Sequence, residues 1–324
     1  MASGKLTGQN LRENVLNLLG RRRKEVLVGA NLGGDCASLL GEGSFVVHTD
    51  PITGATQEIG SLAVKVVLND VAAGFGEPIA LLLTLLLPES MDECDVKRIM
   101  LDAENEAKKW NAEIIGGHTE FTDAVNRPIV NAVGIGKRDK SFSPYKPQIG
   151  DEIIVTKNIA LEGSFILAEQ YAHKLNLTQS DLVELKEYTE KTSVMLEAKL
   201  VRESGFGAIM HDVTEGGIFG ALAEICDISN VGLEVYLKSI PISKLTQDIC
   251  HKLNVNPYKL ISSGSMIIIS KNATAIKEIL ENASIKATII GKVTEGKNLY
   301  VIDSNGEKNK TFAERDEMYR KIGE

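Results

Sequence analysis

Short apolar runs that end at glycine or proline alternate with stretches of helical periodicity along the whole 324-residue chain, and the alternation lapses once, between Lys137 and Gly150. Residues 44–49, 79–87, 113–115 and 129–135 have the length and the terminations of β-strands. Between them, residues 60–73 place Leu62, Val66, Val67 and Asn69 at near-helical spacing and stop at Gly74, Gly76 and Pro78. Residues 91–110 predict a second helix, with acidic residues early and Lys108 and Lys109 late, as the helix dipole favours. The lapse carries two prolines and no apolar period, which marks a boundary between two mixed α/β domains, residues 1–140 and 150–324.

The second half restarts the pattern with a buried strand at 151–157. Helices follow at 164–173 and 180–203, then a strand at 208–210, a glycine-started helix at 217–227 and a strand at 233–237. A helix at 243–253, strands at 265–269, 287–293 and 299–302, and a helix at 273–281 complete it.

Bulk properties narrow the functional classes. A hydrophobic share of 43% and a charged share of 25% describe a soluble globular protein. A net charge of -8 speaks against a nucleic-acid partner, which needs clustered basic surface. The run Arg21-Arg22-Arg23-Lys24 is read as a solvated helix end. Cys36, Cys94, Cys226 and Cys250 have no paired spacing, so reduced thiols and a cytoplasmic location are expected. No secretion signal opens the chain, and no apolar run approaches the ~20 residues of a membrane helix.

Asp35, Asp50, Asp70, Glu120 and Asp212 each sit against glycine or at the end of an apolar run. Mg²⁺ accepts a few carboxylates and completes its shell with water and substrate phosphates, so loops that deliver acids to one place suit a nucleotide and its metal. Gly33 and Gly34 precede Asp35, which is either such a ligand or a turn aspartate. Asp50 closes an apolar strand. Asp70, beside Asn69 in an otherwise apolar helix, calls for a metal or a basic partner, because a buried lone charge is costly. Gly116-Gly117-His118-Thr119-Glu120 is expected to form a polar loop at a strand's carboxyl end. There His118 is open to three roles: general base, donor to phosphate, or hydrogen-bonded loop residue, the last being favoured. His211-Asp212 repeats the arrangement, and Gly216-Gly217 opens a helix whose N-terminus suits an anion. Lys157 either contacts phosphate or caps a strand end. No P-loop, dinucleotide fingerprint, nucleophile elbow or metalloprotease motif is present.

In order, these strings resemble the AIR synthase superfamily, which includes hydrogenase-maturation HypE, thiamine-monophosphate kinase and selenophosphate synthetase. The carriers are Gly33-Gly34-Asp35-Cys36-Ala37-Ser38, Thr49-Asp50, Asn69-Asp70-Val71-Ala72-Ala73-Gly74, Gly116-Gly117-His118-Thr119-Glu120 and Asp212-Val213-Thr214-Glu215-Gly216-Gly217. The likeness is greatest to HypE and the AIR synthase-related proteins. It implies a PurM-like two-domain α/β fold (α+β), with N-terminal domains sharing a β-barrel in a homodimer, and ATP with Mg²⁺ as cofactors. It also implies Asp35, Asp50, Asp70, Glu120 and Asp212 as metal ligands and Asp70, His118 and Asp212 as catalytic residues. Gly33, Gly34, Thr49, Asn69, Gly117, Thr119, Lys157, Gly216 and Gly217 are then nucleotide contacts. The implied reaction is ATP-dependent phosphorylation of an amide- or carboxyl-type oxygen of an acceptor that the residues do not name. The alternatives are AIR synthase itself, thiamine-monophosphate kinase, and an ATP-binding maturation partner without turnover. Two departures stand out: His118 replaces an acid found in several relatives, and no cysteine follows Cys250, where HypE carries its carboxamide on a terminal cysteine.

Overall fold

The computed structural model describes Gln9 and residues 26–28, 32–34, 37–41, 43–53, 58–312 and 315–322. The chain divides into two compact units that change over between Phe142 and Ser143, with residues 30–34 belonging to the second. Among the described residues no helix is long and apolar enough to cross a membrane.

The first unit is built on a six-stranded sheet. Its elements are β1 (Val26–Val28), β2 (Ala37–Gly41), β3 (Gly43–Ile52), α1 (Ile59–Ala73), β4 (Glu77–Pro88), α2 (Glu93–Lys109), β5 (Glu113–Thr122) and β6 (Ile129–Arg138). The strand order is β1-β2-β3-β6-β4-β5, antiparallel except for the parallel β4/β5 pair. Leu81, Leu83, Leu85 and Leu87 alternate along β4 and are buried, which gives the sheet one apolar face. Helix α1 lies on that face. It settles low because Gly134 and Gly136 of β6 offer no side chains: a Cβ on Gly134 would stand 3.0 Å from Val71 Cγ2 and 3.2 Å from Val67 Cγ2. α2 starts at a reciprocal cap, with the Asp92 carboxylate accepting from the Cys94 and Asp95 amides and the Asp95 carboxylate accepting from the Asp92 amide.

The second unit holds a seven-stranded sheet in the order β13-β12-β9-β11-β7-β10-β8. Here β7 is Glu152–Thr156, β8 Ile209–Val213, β9 Gly232–Tyr236, β10 Ser265–Ser270, β11 Ala287–Thr294, β12 Leu299–Ile302 and β13 Lys308–Thr311. Its helices are α3 (Leu161–Gln170), α4 (Ala172–Leu175), α5 (Gln179–Glu190), α6 (Met195–Ser204), α7 (Gly217–Ser229), α8 (Lys244–Leu253), α9 (Ala273–Asn282) and α10 (Glu317–Ile322). β10 is buried at every residue, as befits a strand with neighbours on both edges and covered faces. The core joins Ile153, Val155, Leu167, Ile218, Leu222 and Ile267.

Two elements depart from the sequence reading. Residues 180–203 form two helices rather than one, because the Lys191 and Ser193 carbonyls turn inward to accept from the Lys157 ammonium at 3.1 and 2.6 Å. Residues 116–120 are strand, not loop: β5 runs on beside β4 to the Pro88/Thr122 pair. Gly117 explains the continuation, since a Cβ there would overlap the Leu83 carbonyl oxygen, so glycine alone lets the two backbones approach this closely.

Candidate metal and nucleotide site

The site in the first unit is assembled from β3 and α1. Residues two apart in a strand share a face, so His48 and Asp50 project together, on the side where Val46 is buried and where α1 packs. Asp70 lies in the last turns of α1, buried beside buried Asn69. His48 Nε2 stands 3.3 Å from Asp70 Oδ2. One ligand atom from each of His48, Asp50 and Asp70 lies within 4.8 Å of the others, close enough to share one ion. Two carboxylates and an imidazole, half-buried to buried, form a donor set that fits a divalent cation.

Other expected residues fall elsewhere. Thr49 points to the opposite face of the sheet, where its hydroxyl donates to Asn131 Oδ1 at 3.1 Å. Along β5, His118 pairs with Thr84 and Glu120 with Leu86, alternating with the buried leucines of β4, so both side chains lie on the face away from α1. They are exposed and meet each other, His118 Nε2 to Glu120 Oε2 at 3.1 Å. Within this unit Glu120 therefore does not join Asp50 and Asp70, and the five-acid set expected from the sequence is corrected on that point. Thr119 and Gly117 lie on the same strand, exposed. Asp35 lies outside the described residues.

In the second unit, Gly33 holds a left-handed conformation against Glu224 and Ile228 of α7, and Gly34 is exposed. Asp212 is buried on β8 opposite Met266. Its neighbour His211 places Nδ1 2.7 Å from the Asp212 carbonyl oxygen and Nε2 3.4 Å from Glu224 Oε2.

Two groups expected here as phosphate contacts have partners within the domain. Lys157 donates to the Lys191 and Ser193 carbonyls, and its ammonium stands 2.7 Å from a carboxylate oxygen of buried Glu197, inside the domain. Gly216 and Gly217 do open α7, but the Gly216 amide donates to Asp316 Oδ2 at 2.6 Å and the Gly217 amide to the Thr214 carbonyl at 3.1 Å. The chain's own carboxylate thus stands where an anion was expected. Asp316 also accepts from the Met318 amide at 2.8 Å, and burial, with help from Glu215 and Glu162, pushes its carboxyl up to about 7. Of the cysteines, Cys94 is exposed, while burial pushes the thiols of Cys226 and Cys250 up to about 12.

His48 of the candidate cluster and Asp316 at the start of α7 are not singled out by the sequence reading. For His48 the signal was available: strand alternation puts it on Asp50's face and excludes Thr49. For Asp316 none was, since its partner lies 100 residues away.

The fold and site together define a two-domain α/β protein with a candidate cation cluster on its N-terminal sheet. Residues 33–137 match the family model of the AIR synthase related protein N-terminal domain, and residues 148–304 match that of the C-terminal domain. The chain belongs to the AIR synthase-related family. It is 30% identical over 318 residues to a Methanocaldococcus jannaschii protein named for hydrogenase expression/formation, covering 94% of this chain and 92% of the relative. It is 25% identical to the carbamoyl dehydratase HypE of Bradyrhizobium diazoefficiens, over 70% of this chain and 66% of that one. Among solved structures, HypE in complex with ATP superposes with a TM-score of 0.73 at 21% identity, covering 98% of this chain and 97% of the other.

Proposed function

We propose that the chain uses ATP and a divalent cation, Mg²⁺ in the first instance, to phosphorylate an amide- or carboxyl-type oxygen of an acceptor. The observation that carries this reading is the convergence of Asp50 and Asp70, from a strand and the helix that follows it, onto one small volume. The relatives support the acceptor class, since one of them is named a carbamoyl dehydratase.

In this reading the acceptor oxygen forms a bond to the γ-phosphorus, the bond from that phosphorus to the β,γ-bridging oxygen breaks, and ADP leaves with the electron pair. The acceptor carbon then bears phosphate, a good leaving group, in place of a poor one. A bound cation supplies charge neutralisation on the phosphate oxygens, the largest requirement of phosphoryl transfer. Asp50 and Asp70 hold the ion through carboxylate oxygens. The buried amide of Asn69 fixes the end of α1 beside them.

Calorimetric titration of ATP in the presence of Mg²⁺ tests it. Asp50→Asn and Asp70→Asn are each expected to weaken Mg²⁺-dependent ATP binding at least about tenfold, or ~1.4 kcal/mol, with far-UV circular dichroism unchanged. Unaltered affinity in both variants refutes the assignment. Turnover with a carboxamide acceptor then separates an enzyme from a binding partner that only holds ATP.

A further inference from the structure

The proposed cation site contains a donor that Mg²⁺ does not require. His48 Nε2 is 3.3 Å from Asp70 Oδ2, and with Asp50 the three ligand atoms lie within 4.8 Å of one another. On an octahedral ion with bonds of about 2.1 Å, adjacent donors are about 3.0 Å apart and opposite donors about 4.2 Å apart. The triangle therefore closes on one ion with small side-chain rotations. The backbone enforces it: β3 alternation gives His48 and Asp50 the same face, and the low seat of α1 brings Asp70 to them. Mg²⁺ takes oxygen ligands and usually keeps several waters, whereas an imidazole nitrogen suits iron, nickel, copper and zinc, with cobalt between iron and nickel in the affinity order.

We propose that His48, Asp50 and Asp70 form a mixed nitrogen and oxygen site that selects a first-row transition-metal dication over Mg²⁺, with His48 Nε2 as the selecting ligand. This rests on the cation-site reading above and makes it specific: the site accepts Mg²⁺ but holds a transition ion more tightly. Three protein donors leave the remaining positions to water and phosphate oxygens. The competing role for His48 is a hydrogen-bonding anchor that only orients Asp70. An anchor would affect every cation alike, while a ligand affects those that favour nitrogen.

The full chain is titrated with Co²⁺ alone, followed by its visible absorption, and Mg²⁺ affinity is measured by competition. The unaltered protein is expected to bind Co²⁺ at least about a hundredfold more tightly than Mg²⁺. His48→Asn exchanges the ring nitrogen for an amide oxygen, and is expected to cut the Co²⁺ to Mg²⁺ preference at least about tenfold while leaving Mg²⁺ affinity within about threefold. Asp70→Asn should weaken both ions together. Equal affinities in the unaltered protein, or a preference unmoved by His48→Asn, overturn the selecting role; if Asp70→Asn still weakens both ions, the cation site itself stands. Absence of binding by either ion overturns both. Should His48→Asn not fold, proton NMR of the unaltered Co²⁺ protein decides: a strongly shifted exchangeable imidazole N–H signal supports coordination, and its absence refutes it.

Discussion

Asp316 makes the stability of the second unit depend on pH in a direction opposite to that of an ordinary surface carboxylate. Its side chain is buried and accepts two backbone amides, yet burial raises its carboxyl from 3.8 to about 7. The folded state thus holds a proton there more tightly than the unfolded chain does. The stabilisation is fully present below about pH 4 and is lost as pH rises through about 7. A shift of about three units at ~1.36 kcal/mol each corresponds to at most about 4 kcal/mol. Between about pH 5 and about pH 8 some 3 kcal/mol of it disappears. Asp316→Asn keeps the size and one of the two acceptor oxygens and does not titrate, so its constant loss of a hydrogen bond does not vary with pH. The stability of the parent relative to this variant should therefore fall by about 3 kcal/mol across that interval. Urea unfolding at a series of pH values measures it, followed by far-UV circular dichroism, because the single tryptophan, Trp110, reports on the other unit. Parallel stability curves for parent and variant across the interval would refute the reasoning.

Two further outcomes are expected. Gly134→Ala places a methyl against Val67 and Val71, which should lift α1, cost about 1–3 kcal/mol by overpacking, and weaken cation binding; unfolding and metal titration on the same sample check both. Cys226 and Cys250, with thiols pushed up to about 12, should stay unmodified by a thiol reagent near neutral pH while exposed Cys94 reacts, as peptide mass spectrometry would read.

The elements with a clear apolar period were legible in the sequence: the strand and helix centred on Phe45 and Val67, and nearly every strand of the second unit. The strand Lys308–Thr311 was not, because it carries no apolar residue and is held by pairing with β12 and by the ion pair of Lys308 with Glu234. The break after Glu190 and the extension of β5 through Gly116 and Gly117 were hidden for another reason. Each is decided by a group remote in sequence, the Lys157 ammonium in one case and the Leu83 backbone in the other. For the site, Asp50 and Asp70 were readable from their settings, whereas the exclusion of Glu120 required the strand register.

The glycines of β6 act as a ruler for the cation cluster. The span between strand and helix carboxylate is set by how closely Val67 and Val71 can descend onto a bare stretch of sheet. On the proposed reading, ion size is then chosen partly by residues that never touch the ion. Changing the bulk at positions 134 and 136, with the ligands untouched, would retune the aperture and so offers a route to altering which cation the protein accepts.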